Sequence, residues 1–185
     1  MRTVEWVDNH VRMIDQKRIP WEFATVDLLD HHAVAAAITD MTVRGAPAIG
    51  ASAAFGLALA GQESKAMTVN ALLQDVGRAA VTLKAARPTA VNLMWAVDRL
   101  MRLLDERTWS SADQIREFLL NEAQRIADED VAINQRMGAY GAELINDGDT
   151  VLHHCNTGAL ATVDYGTALG VIRCAHEQGK RFHVL

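Results

Sequence analysis

Three short segments hold the residue types on which phosphate binding and thiol chemistry depend. In the first, Val43-Arg44-Gly45-Ala46-Pro47-Ala48-Ile49-Gly50, an arginine and a glycine precede a proline at the start of a charge-free run. Proline suits the first turn of a helix, so the amides of Gly45, Ala46 and their neighbours are free to face an anion. Arg44 adds a charge that pairs with phosphate in bidentate fashion. The same residues also read as a glycine turn beside a solvated arginine. In the second segment, Arg87-Pro88-Thr89-Ala90-Val91-Asn92-Leu93, an Arg-Pro pair again stands at a predicted helix start, with Thr89 as the candidate cap. Two guanidiniums at two helix starts suit a single phosphate. A surface arginine next to a helix-opening proline is the plain alternative. Neither segment is a Walker loop or a GxGxxG fingerprint.

The third segment is His153-His154-Cys155-Asn156-Thr157-Gly158-Ala159-Leu160-Ala161-Thr162. Cys155 falls at the carboxyl end of a predicted strand, where open α/β sheets place their ligands. It also falls near a predicted helix start, which lowers a thiol's pKa, whereas an apolar surround raises it. A buried, inert cysteine is the alternative. Cys174, among Val171, Ile172 and Ala175, reads as core. His153 and His154 are adjacent and point to opposite sides of a strand, so they do not readily share a metal, and none is assigned. His31, His32 and the four tryptophans read as structural.

Composition bounds what these segments can belong to. The chain has 185 residues, half of them hydrophobic, and 18 Lys+Arg against 23 Asp+Glu give a formal net charge of −5. That is ordinary globular composition, and the acidic balance argues against holding nucleic acid by bulk charge. Two cysteines make no disulfide framework, and no Cys/His spacing matches a zinc site. The N-terminus, MRTVEWVDNH, lacks an apolar signal core. The uncharged stretch at 46–61 is shorter than the roughly 20 residues of a membrane helix and reads as a buried helix. A soluble, cytoplasmic protein with no membrane partner is expected.

The elements that would position the three segments follow from periodicity. Val4-Glu5-Trp6-Val7, a turn at Asp8-Asn9, Val11-Arg12-Met13-Ile14-Asp15 and a third run at 21–26 predict a small antiparallel meander. Asp30 is a plausible N-cap for a helix over 33–38. Further helices are predicted at 46–61, 69–85 and 91–106, the last with Leu93, Val97, Leu100, Met101 and Leu104 on one face. Ser111 and Gln114 match a capping box. The helix it opens carries an apolar stripe of Ile115, Phe118, Leu119, Ile126, Ile133, Met137, Tyr140 and Leu144, with Gly138 and Gly141 placed to bend its end. After a turn at 146–149, a strand over 150–154, a helix over 163–177 and a strand over 181–185 form the opening unit of a doubly wound fold.

The predicted fold class is therefore α/β. A β-meander and helical domain occupies 1–148, and 149–185 begins a Rossmann-like domain that is incomplete. Two parallel strands cannot stand alone as a domain. The expectation is a front part of a longer protein, or a chain docked on a partner that supplies the other strands.

VRGAPAIG, RPTAVNLMWA and HCNTGALATVDYGTALGVIR, in this order, resemble the 5-methylthioribose-1-phosphate isomerase family. These are aldose–ketose isomerases of methionine salvage, related to ribose-1,5-bisphosphate isomerases and to regulatory subunits of translation initiation factor 2B. The resemblance runs from Val4 onward and corresponds to the front half of a family member. It implies that Arg44, Gly45 and Ala46 bind the substrate, that Arg87 joins them on the phosphate, and that Cys155 acts at the isomerising carbons. It implies a sugar-phosphate substrate, no metal or organic cofactor, and a homodimer when complete. A catalytic Asp, a Gln and an Asn-Lys pair would lie in the C-terminal half, so the chain alone is expected to be inactive. The alternative is a non-catalytic sugar-phosphate-binding or regulatory subunit of the initiation-factor type. The regulatory subunits generally lack the cysteine, so Cys155 favours the enzyme.

Overall fold

The structure, a computed structural model, describes residues 2–185. Strands β1 (Val4–Val7), β2 (His10–Ile14) and β3 (Thr25–Leu28) form an antiparallel meander in the order β1-β2-β3. Asp8 and Asn9 join the first two with φ of 45° and 66°, the paired positive angles that a two-residue hairpin turn requires. The third strand was expected over 21–26 and begins only at Thr25. Pro20 lacks a ladder donor, and the chain before Thr25 satisfies itself locally. Arg18 N–H donates to the Asp15 carbonyl, Lys17 N–H to the Asp15 carboxylate and Glu22 N–H to the Arg18 carbonyl. Trp21 and Phe23 are consequently left exposed.

Helices α1 (His31–Thr39), α2 (Ala46–Glu63), α3 (Val69–Ala86), α4 (Val91–Asp105) and α5 (Ala112–Ala142) make the body of the protein. Asp30 caps α1 as expected, accepting from Ala33 N–H at 2.7 Å. Every residue of α2 from Ala48 to Gly61 is buried. A helix apolar on all sides belongs at the centre, and α1, α3, α4 and α5 all pack against it. Its small side chains let those neighbours approach closely. On α4, Leu93, Val97, Leu100 and Leu104 are buried and Met101 is partly buried, as the spacing predicts.

Three local expectations need correction. The N-cap of α4 is Ala90, with no side-chain bond, so Thr89 caps nothing, and Arg87 closes α3 rather than opening α4. At the start of α5, Ser111 Oγ accepts from Gln114 N–H, but the Gln114 side chain accepts from Ser110 N–H instead of returning to Ser111. The predicted α5 stripe holds only for its first half. Ile115, Leu119 and Ile126 are buried and Phe118 packs on the core, while Ile133, Met137, Tyr140 and Leu144 are exposed. Beyond residue 130 the buried positions are Asn134, Gly138 and Ala142.

The reason is a change of partner: α5 leaves α2 and meets α6 (Ala168–Glu177) across small residues. A Cβ on Gly141 would come within 2.6 Å of the Val171 side chain, and one on Gly138 within 2.8 Å of the Tyr165 ring. These glycines permit that approach, and the helix runs unbroken to Ala142.

Strands β4 (Thr150–Val151) and β5 (His183–Val184) precede and follow α6 in the chain and pair with each other in parallel. Both are shorter than predicted, and α6 begins at Ala168 rather than 163. The intervening chain forms a 3-10 turn at Ala159–Ala161, then reverses at Tyr165 and Gly166, whose φ values are 77° and 94°. The fold is mixed α/β, mostly helical with small sheets. Among the described residues, no helix is long and apolar enough to cross a membrane.

Candidate functional site

Gly45 joins the first and third segments. It is the N-cap of α2 with φ 96° and ψ 134°, and a Cβ there would lie 2.3 Å from both the Cα and the carbonyl oxygen of Ala161. Only a glycine allows this backbone-on-backbone contact. Pro47 stands in the first turn of α2, as expected, and no side chain caps the helix. The first amides of α2 therefore open beside the segment that carries Cys155. Arg44 and Ala46 are exposed, Arg87 is half-buried and Cys155 is exposed.

The second segment reaches the same region through Gly50. A Cβ on it would sit 3.0 Å from the Asn92 carbonyl oxygen, so the start of α4 lies against the start of α2. Between them is a cavity of about 190 Å³ lined in part by Pro47, Gly50, Asn92, Trp95, Asp130 and Ile133. Among the described residues, neither Arg44 nor Arg87 forms an ion pair, whereas Arg99 on the same α4 is held by Glu122 and Glu129 of α5. A charge without an internal partner is available to a ligand.

Three residues outside the expected set hold the chain at 159–163 in place. Thr3 donates its hydroxyl to the Ala159 carbonyl and its N–H to the Val163 carbonyl, both at 2.8 Å. Gln16, only 2% exposed, donates its side-chain amide to the Leu160 carbonyl at 2.7 Å and its N–H to the Thr42 carbonyl at 2.9 Å. It thus ties the run-in to Arg44 to the segment after Cys155. Asp130 accepts from Val163 N–H at 2.8 Å and from the Asn134 amide at 3.1 Å. Sequence reading missed all three. Thr3 and Gln16 flank strands with no motif around them, and Asp130 lies in an acidic run, Asp128-Glu129-Asp130, that resembles a solvated helix face.

Burial lifts the Asp130 carboxyl above the ordinary carboxylate range, although the bonds from Val163 and Asn134 pull the other way. A raised folded-state pKa contributes stability that is complete below the unfolded value near about 4 and is lost as pH rises through the folded value. Asp130→Asn cannot ionise, and its amide is matched if Asn134 turns over. Its stability relative to the parent chain should therefore increase as pH rises from about 4, then level off. Urea midpoints measured across that range check this, and a pH-independent difference would contradict it.

Two expectations for the cysteines change. The regular helix after Cys155 begins at Ala168, so no such helix starts beside the thiol as the sequence suggested. Cys155 instead sits in a left-handed backbone conformation, φ 81°. Cys174, read as core, is half-buried at the edge of the small core of Ala142, Ile145 and Ala175, and lies against Tyr165, whose hydroxyl is pushed up to about 12 by burial, with Cys174 and Glu177 adding to the effect.

A protein of Thermosipho melanesiensis named methylthioribose-1-phosphate isomerase is 50% identical over 182 residues, covering 98% of this chain and 52% of the relative. The crystal structure of 5-methylthioribose 1-phosphate isomerase from Pyrococcus horikoshii superposes with a TM-score of 0.93 at 48% identity, over 97% of this chain and 50% of that one. The crystal structure of a translation initiation factor 2B delta subunit from A. fulgidus superposes with a TM-score of 0.89 at 43% identity, over 100% and 53%. The chain spans about half the length of the curated relatives it matches. The family model for the initiation factor 2 subunit family matches residues 42–185, which contain all three segments. The chain belongs to the initiation factor 2 subunit family.

Proposed function

We propose that this chain supplies the front half of a methylthioribose-1-phosphate isomerase, which converts 5-methylthioribose-1-phosphate to 5-methylthioribulose-1-phosphate in the cytoplasm as a step of methionine salvage. The observation that carries the reading is the seating of Gly45 on Ala161, which puts the open first turn of α2 beside the Cys155 segment. Arg44, Gly45 and Ala46 bind the substrate, and Arg87 joins them on its phosphate. Residues 1–148 form one domain, and 149–185 begin a Rossmann-like domain whose remainder completes the site and forms a homodimer.

The chemistry explains why such a site is needed. The substrate carries phosphate on C1, so it cannot open to a free aldehyde. The C1–ring-oxygen bond must break while the phosphate stays, and the ring oxygen takes up a proton. Hydrogen is then delivered to C1, C2 loses its hydrogen, and the C2 hydroxyl gives up its proton to become the ketone. C1 is reduced and C2 oxidised, with no external oxidant or reductant. Cys155 serves the C2 step, either as a proton relay or by stabilising a hydride shift in a water-poor pocket. An acid in the remaining half protonates the ring oxygen.

The test is conversion of 5-methylthioribose-1-phosphate, followed by proton NMR, by the chain joined to the C-terminal half of the Thermosipho melanesiensis relative. Turnover supports the reading. A folded joined protein that binds the sugar phosphate without converting it would favour a non-catalytic subunit, the reading that the A. fulgidus likeness supports. Arg87→Ala in the same protein should raise the substrate KM about tenfold or more, since a charge-assisted bond to phosphate is worth roughly 1.5–3 kcal/mol. An unchanged KM would remove Arg87 from the phosphate site.

A further inference from the structure

Cys155 stands at the apex of a loop with both feet pinned. At one foot, His153 donates its backbone N–H to the Leu185 carbonyl at 2.8 Å, adding a bond beside the β4–β5 pair. At the other foot, the Thr157 carbonyl accepts from Thr167 N–H at 2.8 Å, and its hydroxyl oxygen accepts from Leu169 N–H at 3.0 Å, in the first turn of α6. The feet are joined to each other: His153 Nε2 lies 2.6 Å from Thr157 Oγ1. Cys155, between them, has φ 81°, a left-handed conformation that a residue with a Cβ keeps only when its surroundings impose it.

We infer that His153 is a positioning residue for Cys155: the imidazole–hydroxyl clasp with Thr157 holds the Cys155 backbone left-handed and thereby aims its thiol. The importance of that aim rests on the reading of Cys155 as the reacting thiol, while the conformational claim does not. A hydroxyl has one proton and two acceptor positions, and Leu169 N–H occupies one of the latter. Thr157 can give its proton to a neutral Nε2 or accept from a protonated one, so the clasp closes in either tautomer. The two adjacent histidines are thereby distinguished. His153 is half-buried and bonded, and His154 is exposed.

The experiment uses the labelled 185-residue chain and a spectroscopic signature of positive φ, a strong NOE between the amide and α-proton of the same residue. His153→Phe keeps the ring bulk without the bond, and Thr157→Val keeps the shape without the hydroxyl. Each should lose the strong Cys155 NOE. His153→Gln and Thr157→Ser, which retain bonding groups, should keep it. The double variant His153→Phe/Thr157→Val should be no worse than either single one, as expected when both lesions break one interaction. Unchanged Gly45 and Val163 amide signals show that the fold is intact, and if one variant fails to fold the other decides. A Cys155 NOE that survives both His153→Phe and Thr157→Val overturns the clasp. In the completed enzyme, His153→Phe should lower kcat about tenfold or more with KM unchanged, because small displacements of a reacting group are costly, and His153→Gln should restore it. Full kcat alongside a lost NOE would count against Cys155 as the reacting group and leave the clasp standing.

Discussion

Cys155→Ser in the completed enzyme should reduce kcat by about 10²–10⁴-fold, the usual share of a positioned proton-transfer group, with little change in KM. A serine hydroxyl has nearly the size of the thiol but is far less acidic, so it neither relays a proton as readily nor offers a comparable anion. In the 185-residue chain Cys155 is exposed, so the same change made there should leave the melting temperature within about one or two degrees of the parent's, as for a surface change. A kcat within a few-fold of the parent's, at saturating substrate, would sink the assignment. The converse pattern, intact kcat with a raised KM, would move Cys155 from the reacting atoms to the binding surface.

Gly45→Ala should be the most damaging single-methyl change in the molecule. Its φ of 96° with ψ 134° lies in territory essentially closed to other residues, a strain of roughly 1–3 kcal/mol. The added Cβ would also stand 2.3 Å from Ala161 backbone atoms, which cannot swing aside as a side-chain end can. Overpacking of that kind costs roughly another 1–3 kcal/mol, so a loss of about 2–6 kcal/mol is expected. That is a large part of a typical domain's stability. Gly77→Ala is the matched control. It lies inside α3 with nothing within 4 Å of its missing Cβ, and it should gain about 0.5–1 kcal/mol from helix propensity. Urea midpoints of the two variants check both signs. A Gly45→Ala chain as stable as its parent would mean that the α2 start does not rest on the Ala161 backbone.

The distribution of ion pairs fits the same division between what supports the site and what is left for a ligand. Arg99 is held between Glu122, which is buried, and Glu129, and it stacks over Trp95. Its partners raise its pKa, and it holds the Glu129 carboxyl below the usual range. This arginine fastens α4 to α5 and has nothing to spare for a phosphate. Arg44 and Arg87 carry the same group without such partners, which is the condition for binding an outside anion. Gln16 makes a related point within the core: its side-chain oxygen is buried with no bonding partner in the described structure, while its amide nitrogen holds Leu160. Turning the amide over would forfeit the 2.7 Å bond, so the orientation is set by the segment it supports.

Much was legible from the chain alone because the deciding interactions were local. The Asp8-Asn9 hairpin, the Asp30 cap, the Pro47 helix start, the uncharged α2 and the α4 stripe each follow from neighbours within a turn or two, and backbone sterics and hydrophobic periodicity act at that range. The three segments named as chemically capable also came from local residue types, Arg-Gly, Arg-Pro and the Cys155 run. What failed was whatever depended on a partner distant in sequence. The second half of the α5 stripe is exposed because α5 changes its neighbour from α2 to α6. The helix expected from 163 starts at 168 because Tyr165 and Gly166 reverse the chain against Thr157 and Gly158. Thr3, Gln16 and Asp130 have no motif, and their bonds to 159–163 span from 33 to 160 positions. The sequence by itself determined which groups could do chemistry. Only the tertiary structure decided that Gly45 rests on Ala161, because that contact consists of two backbones with no side chain between them, and a missing side chain leaves no pattern to read.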